Sequence, residues 1–323
     1  MASAQAPDAA PAGNGPLSAV DGRAWLTRID TAARTANYQG TLVYSAAGVL
    51  SSSRVWHYLV ADQTYERLEA LDGRHQRIVR HNELVHTFWP QTKVAVVERR
   101  ETLAAWSTTP LAVDPQALEH YALRREGSAR VAGRDAAVLL LEPRDLLRYA
   151  QRLWADEASG LMLRADVIGD TATGARVVLE STAFSEVDIG VRPQPEQALQ
   201  WLRKLDGYRV LRPQQSRTTL EAEGWAMVRP VSGFRLAGCM RRGMAAAGDE
   251  AAVLQAVFSD GLMHVSVFVE PFEPQHQKSD VLAQQGATAT LMTRRGDYRI
   301  TAVGDVPPPT LRQFVDAIER RRP

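Results

Sequence analysis

Apolar residues recur at helical spacing over residues 22–36: Trp25, Ile29, Ala32, Ala33 and Ala36 fall on one stripe, and Asp21 stands where a capping residue belongs. The period then shortens to that of strands. Alternation predicts strands at Thr41–Ser45, Arg54–Val60, Thr64–Ala70, Gln76–Arg80, Glu83–Trp89 and Lys93–Glu98. Turn signals such as Ala47-Gly48, Leu71-Asp72-Gly73 and His81-Asn82 separate them. Connections this short imply antiparallel neighbours, because a parallel pair needs a crossover of about a dozen residues.

The stretch 99–127 is less regular, with a short helix expected near Pro115–Tyr121. Strands resume at Ala136–Glu142, Leu147–Ala155, Leu161–Ile168 and Arg176–Ser185. In the third of these, Leu161, Leu163, Ala165 and Val167 share one face while Arg164 and Asp166 take the other, which gives one buried and one wet side. The turn before it ends at Gly160, the residue suited to positive φ. Beyond 186 the pattern changes. Pro193 and Pro195 precede an expected helix, Glu196–Leu205, and then a polar run, Arg212–Glu223. Six further strands follow: Trp225–Arg229, Phe234–Arg241, Ala252–Phe258, Met263–Glu270, Ala287–Thr293 and Tyr298–Val303. A helix is expected over 310–321, with Leu311, Phe314, Val315 and Ile318 as its stripe.

The fold class that results is α+β, mainly antiparallel β. Residues 1–20 are expected to be a disordered N-terminus, 21–190 a sheet domain, 191–222 a linker with a helix, and 223–323 a small α+β domain. A long antiparallel sheet must bury one face, so the first domain is expected to curl around its N-terminal helix and leave an apolar groove or half-barrel.

Length fits two domains: 323 residues exceed one small core. Lys plus Arg (38) balance Asp plus Glu (37), so no global field draws the chain to nucleic acid. No apolar run reaches the ~18 residues of a membrane span. The opening MASAQAPDAAPAGNGPLSA, small and polar, reads as what remains after signal cleavage or as a flexible N-terminus. The one cysteine, Cys239, allows no internal disulfide and reads as a small buried hydrophobe.

Candidate reaction chemistry is thin. HExxH, CxxC, GxSxG and phosphate-loop patterns are absent, so no metal, cofactor or catalytic residue is expected. Glu142-Pro143-Arg144-Asp145 offers two carboxylates, but a turn closed by an ion pair is the favoured reading over acid–base chemistry, since Pro143 breaks the strand ladder. A hairpin turn accounts for Ser259-Asp260-Gly261. The first sheet is rich in rings, which suits both a core and the lining of an apolar ligand cavity.

Several segments in order resemble the RseB/MucB family, periplasmic regulators of the sigma-E envelope-stress pathway. They are Asn37-Tyr38-Gln39-Gly40-Thr41, residues 66–73 (ERLEALDG), 130–134 (RVAGR), Pro143-Arg144-Asp145, 149–154 (YAQRLW) and Ser159-Gly160-Leu161. In the second half they are Gly233-Phe234-Arg235, 257–262 (VFSDGL) and 265–271 (VSVFVEP), so the resemblance runs from about residue 25 to 320. Tyr149-Ala150 departs from the Tyr-Gly frequent in the family.

The resemblance implies a lipoprotein-carrier-like open β-barrel wrapped on a helix, followed by a small second domain. It implies a non-enzymatic periplasmic regulator that binds the periplasmic domain of a membrane anti-sigma factor of the RseA/MucA type, shields it from site-1 proteolysis, and lets go on sensing lipopolysaccharide or a related lipid. A periplasmic lipid or lipoprotein carrier is the alternative, and self-association is left open. On this reading acyl chains would meet Leu42, Tyr44, Trp56, Tyr65, Trp89, Leu139, Trp154 and Leu163, with Arg67 and Arg80 at the phosphates. The partner would meet Phe234, Arg235, Phe258, Asp260, Phe268 and Glu270.

Overall fold

The computed structural model describes residues 15–73, 75–99, 114–171, 173–194, 205–243, 252–273 and 280–321, with Glu196, Leu199, Gln200 and Leu202 between. The chain enters as β1 (Gly15–Pro16) and helix α1 (Ala19–Thr35). Helix α1 starts a turn earlier than expected. Ser18 is its N-cap: the Oγ accepts from the Asp21 amide at 3.1 Å and donates to the Asp21 carboxylate at 2.6 Å, a reciprocal box that outcompetes Asp21 as cap. Of the N-terminus expected to be disordered, residues 15–20 thus have defined structure, and 1–14 lie outside the described residues.

The meander that follows is β2 (Tyr38–Ala46), β3 (Val49–Val60), β4 (Gln63–Ala70), β5 (Arg77–His81), β6 (Leu84–Trp89), β7 (Val94–Arg99), β8 (Tyr121–Val131), β9 (Arg134–Pro143), β10 (Ala150–Asp156), β11 (Met162–Asp170) and β12 (Arg176–Ile189). A 3₁₀ turn at Pro115–Glu119 precedes β8. These strands form one sheet in the order β1-β8-β9-β10-β11-β12-β2-β3-β4-β5-β6-β7, extended at its far edge by β13 (Arg209–Leu211). Every pair is antiparallel except β13 on β7. The edge strands β1 and β13 do not pair with each other, so the sheet stays open. Leu26 and Ile29 of α1 pack on Leu139, Leu153 and Ala165, and Ala32 packs with Tyr38, Leu42 and Phe184. Ala150 is in extended strand opposite Ile168, which needs no glycine.

The segment read as a linker is built into both sheets. Leu202, Leu205 and Tyr208 cover Val79, Phe88 and Ala95, and β13 joins the first sheet. Three residues later β14 (Gln215–Arg217) opens the second. That sheet runs β14-β16-β17-β18-β21-β20-β19, with β16 (Arg235–Gly243), β17 (Ala252–Ser259), β18 (His264–Pro271), β19 (Val281–Gln285), β20 (Thr288–Arg295) and β21 (Tyr298–Gly304). Helix α2 (Pro308–Ala317) covers it. The helix stops short of 321, because Ile318 turns extended and β22 (Ile318–Arg320) pairs with β15 (Trp225–Met227). Strand β19 escaped the sequence pattern: it is an edge strand, mostly exposed, with no apolar face to alternate.

One apolar core serves both halves. Leu26, Tyr121, Leu139 and Leu153 belong to the same buried cluster as Phe234, Phe258, Val265, Leu311 and Phe314.

Candidate functional site

The junction between the halves centres on a buried ion pair. Arg148, in the loop before β10, donates from Nε to Asp260 Oδ2 at 2.6 Å, and both side chains are fully buried. The same guanidinium donates to the Asp145 carboxylate and, at 2.8 Å, to the Ser232 carbonyl, and lies 4.7 Å from the Phe234 ring centre. Asp260 also accepts from the Leu262 and Met263 amides and from the Tyr121 hydroxyl. Burial, and then the Asp260 charge, push the Tyr121 hydroxyl well above its ordinary pKa, so it stays a donor. Gly233, at φ +76°, allows the close approach: a Cβ there would strike Arg148 and the His120 ring.

A second contact between the halves is acidic. Tyr44 donates to Glu180 Oε2 at 3.0 Å, and Thr288 donates to Asp305 Oδ1 at 2.6 Å. Burial first, then Asp305, raises the pKa of Glu180; burial raises that of Asp305. Elsewhere the expected turn chemistry is ion pairing: Glu142 takes two bonds from Arg176, which hold its pKa down, and Asp145 takes Arg148. Among the described residues no cluster of His, Cys, Asp and Glu has the geometry of a metal site.

The pairing register divides the residues assigned to lipid. Leu42, Tyr44, Leu139, Arg80 and Trp89 fall on the face against which α1 packs, and Leu163 is the extra residue at a bulge in β11. Trp56, Tyr65, Arg67 and Trp154 fall on the other. Leu42, Trp154 and Leu163 are enclosed in one cluster and Leu139 in the core between the domains. Arg67 stacks 4.5 Å over Trp56 and pairs with Glu69; Arg80 pairs with Glu66. These ten residues do not line one hollow.

Comparison with known proteins gives a continuous match across both halves. Residues 21–204 match the MucB/RseB N-terminal domain and 219–319 the MucB/RseB C-terminal domain. The chain belongs to the MucB/RseB family. The sigma factor AlgU regulatory protein MucB of Pseudomonas aeruginosa is 31% identical over 296 residues, covering 90% of this chain and 88% of that one. The sigma-E factor regulatory protein RseB of Escherichia coli is 23% identical over 301 residues, 92% of this chain and 90% of that one. A crystal structure of MucB in complex with MucA(peri) aligns with TM-score 0.67 and 28% identity over 95% of this chain and all of that one. A second complex, of P. aeruginosa MucA and MucB, gives 0.70 at 28% identity over 94% of this chain and all of that one.

Within this MucB/RseB chain, the residues assigned to a partner occupy three kinds of place. Phe234 and Phe258 pack on Phe314, with ring centres 5.3 and 5.1 Å away, and Asp260 holds Arg148. These three build the junction and offer no surface while it is closed. Arg235 is exposed and reaches across to Gln116 and Glu119 of the first domain. Phe268 and Glu270 lie half-buried on the outer face of β18, where Glu270 pairs with Arg299. Sequence reading missed Arg148 and Tyr121. The VFSDGL segment drew attention as a turn, but its charge partner is 112 positions away, and no spacing reports such a pair.

Proposed function

We propose that the chain acts in the periplasm as a non-enzymatic regulator: it binds the periplasmic domain of a membrane anti-sigma factor of the MucA/RseA type, keeps it from site-1 proteolysis, and yields it when a lipid such as lipopolysaccharide binds. One observation carries the reading. The alignment with two MucA-bound MucB structures extends through both domains, so the whole two-domain body is kept and not just one half. A carrier with the first domain alone would have no use for a second sheet that shares its core. Lipid can release a partner only by preferring the partner-free state. Leu42 and Leu163 are enclosed in one buried cluster, so an acyl chain must open that cluster to enter, and the opening is the conformational step the lipid would select.

The test is proteolysis of the partner's periplasmic domain by the site-1 protease, with and without this protein, and with both plus lipopolysaccharide. Protection that lipid removes supports the reading. Binding without protection leaves the partner and rejects the shielding role; protection that lipid leaves intact rejects the sensing role.

A further inference from the structure

A cleft of about 890 Å³ opens in the second domain between the β15–β22 ribbon and the β20–β21 turn, and all of its lining comes from that domain. It lies at the upper end of ordinary ligand pockets, which span about 300–1,000 Å³. Its floor is apolar: Trp225 and Tyr298 meet edge to face at 5.1 Å, beside buried Ile318. Arg320 stands opposite Trp225 in the ribbon, its guanidinium 4.7 Å over the Tyr298 ring. Exposed Arg321 follows it, and Arg229 donates to the Asp316 carbonyl at 3.1 Å. Among the described residues neither Arg320 nor Arg321 has an ion pair, whereas Arg295 on the far wall is neutralised by Asp316. The cleft also holds two acids without an ion pair among the described residues, Asp297 and Glu319. Asp297 is in the turn of the far wall, and Glu319 alternates away from the face that Arg320 shares with Trp225.

A guanidinium laid on a ring keeps its donor edge free for a carboxylate. Rings and arginines around a concave floor are also the composition of binding hot spots. We infer that this cleft seats an acidic segment of the partner's periplasmic domain, with one of its apolar side chains on Trp225 and Tyr298 and a neighbouring carboxylate bridged by Arg320 and Arg321. This rests on the function proposed above and places the partner on a surface that stays open while the domain junction is closed.

The experiment is titration calorimetry of the full chain against the periplasmic domain of the MucA-type protein from the same genome. Arg320→Glu and Arg321→Glu are compared with Arg54→Glu, an equal charge change on the first domain. Each cleft reversal should weaken binding about tenfold or more, and the control should stay within about twofold. Arg320 supports Tyr298, so its variant can loosen the fold. Arg321→Glu, checked by an unchanged melting curve, isolates the charge. If the unaltered chain does not bind, the proposed function falls and this placement with it. If it binds and both reversals stay within about twofold, or the control weakens equally, the cleft is not the seat. Vesicles containing phosphatidylglycerol form the last arm: reversals that abolish vesicle binding and spare the protein partner would give the cleft to a lipid headgroup and overturn the inference.

Discussion

Replacing Asp260 with alanine removes the centre of the domain junction. The change leaves Arg148, fully buried, with Asp145 and the Ser232 carbonyl, and strands the Tyr121 hydroxyl and the Leu262 and Met263 amides. Removing one partner of a buried pair costs about 3–5 kcal/mol. Asp145 is partly exposed and can bring water to Arg148, which argues against the top of that range, while the two stranded amides argue against the bottom. We expect about 4 kcal/mol, which with a urea slope of about 3 kcal/mol/M lowers the midpoint by about 1 M. The chain's 7 tryptophans report unfolding by fluorescence. Because one core runs through both halves, the unaltered chain should unfold in one transition, and Asp260→Ala should split it. Replacing Arg148 and Asp260 together with Met and Leu should recover part of the loss, since an apolar pair leaves no charge stranded while the two amides still lack their acceptor. A single unchanged transition in Asp260→Ala, with a midpoint shift under about 0.3 M, would refute the reasoning.

Other outcomes can be checked alongside. Glu180 and Asp305 have folded pKa values above their ordinary ones, so the folded state holds protons that the unfolded chain releases. Their effect is greatest in stability below the ordinary carboxylate range and declines as pH rises through the folded values. Glu180→Gln should therefore be more stable than the parent at neutral pH and show a flatter decline; a parallel pair of stability–pH curves would contradict this. His264, depressed to about 4 by burial, works in the opposite sense, so the comparison must be variant against parent and not parent alone. Cys239, pushed up to about 11 by burial and then by Glu223 and Glu221, should resist a thiol reagent at pH 8 until urea unfolds the chain; fast labelling of the folded protein would contradict its burial. Gly233→Ala should cost about 2 kcal/mol or more in the same urea assay, from positive φ and displacement of Arg148.

What the chain discloses about itself depends on distance along it. Periodicity exposed the meander and the helices α1 and α2, because a strand's alternation and a helix's stripe are local; the expected helix Glu196–Leu205 falls in part outside the described residues. The start of α1 was misplaced by one turn because Ser18 and Asp21 can each cap, and only the reciprocal bond between them decides. Residues 318–320 kept a helical stripe yet became a strand, since Ile318 is drawn to the ribbon with Trp225 and Met227. The binding residues were the least legible. Phe234 and Phe258 have the chemistry of a docking surface and of a core alike, and only the arrival of Phe314 decides between them. Lipid residues picked by side-chain type scattered over two faces, because type does not carry register.

The handover between the sheets has a mechanical consequence. Strand β13 ends at Leu211 and β14 starts at Gln215, so three intervening residues, at most about 14 Å from strand end to strand start, tether an edge of one sheet to an edge of the other. Such a tether permits no free swing. Any rearrangement that parts the domains must peel an edge strand or rotate about this short strap, and a half cut from the whole would carry a torn core in place of an intact surface.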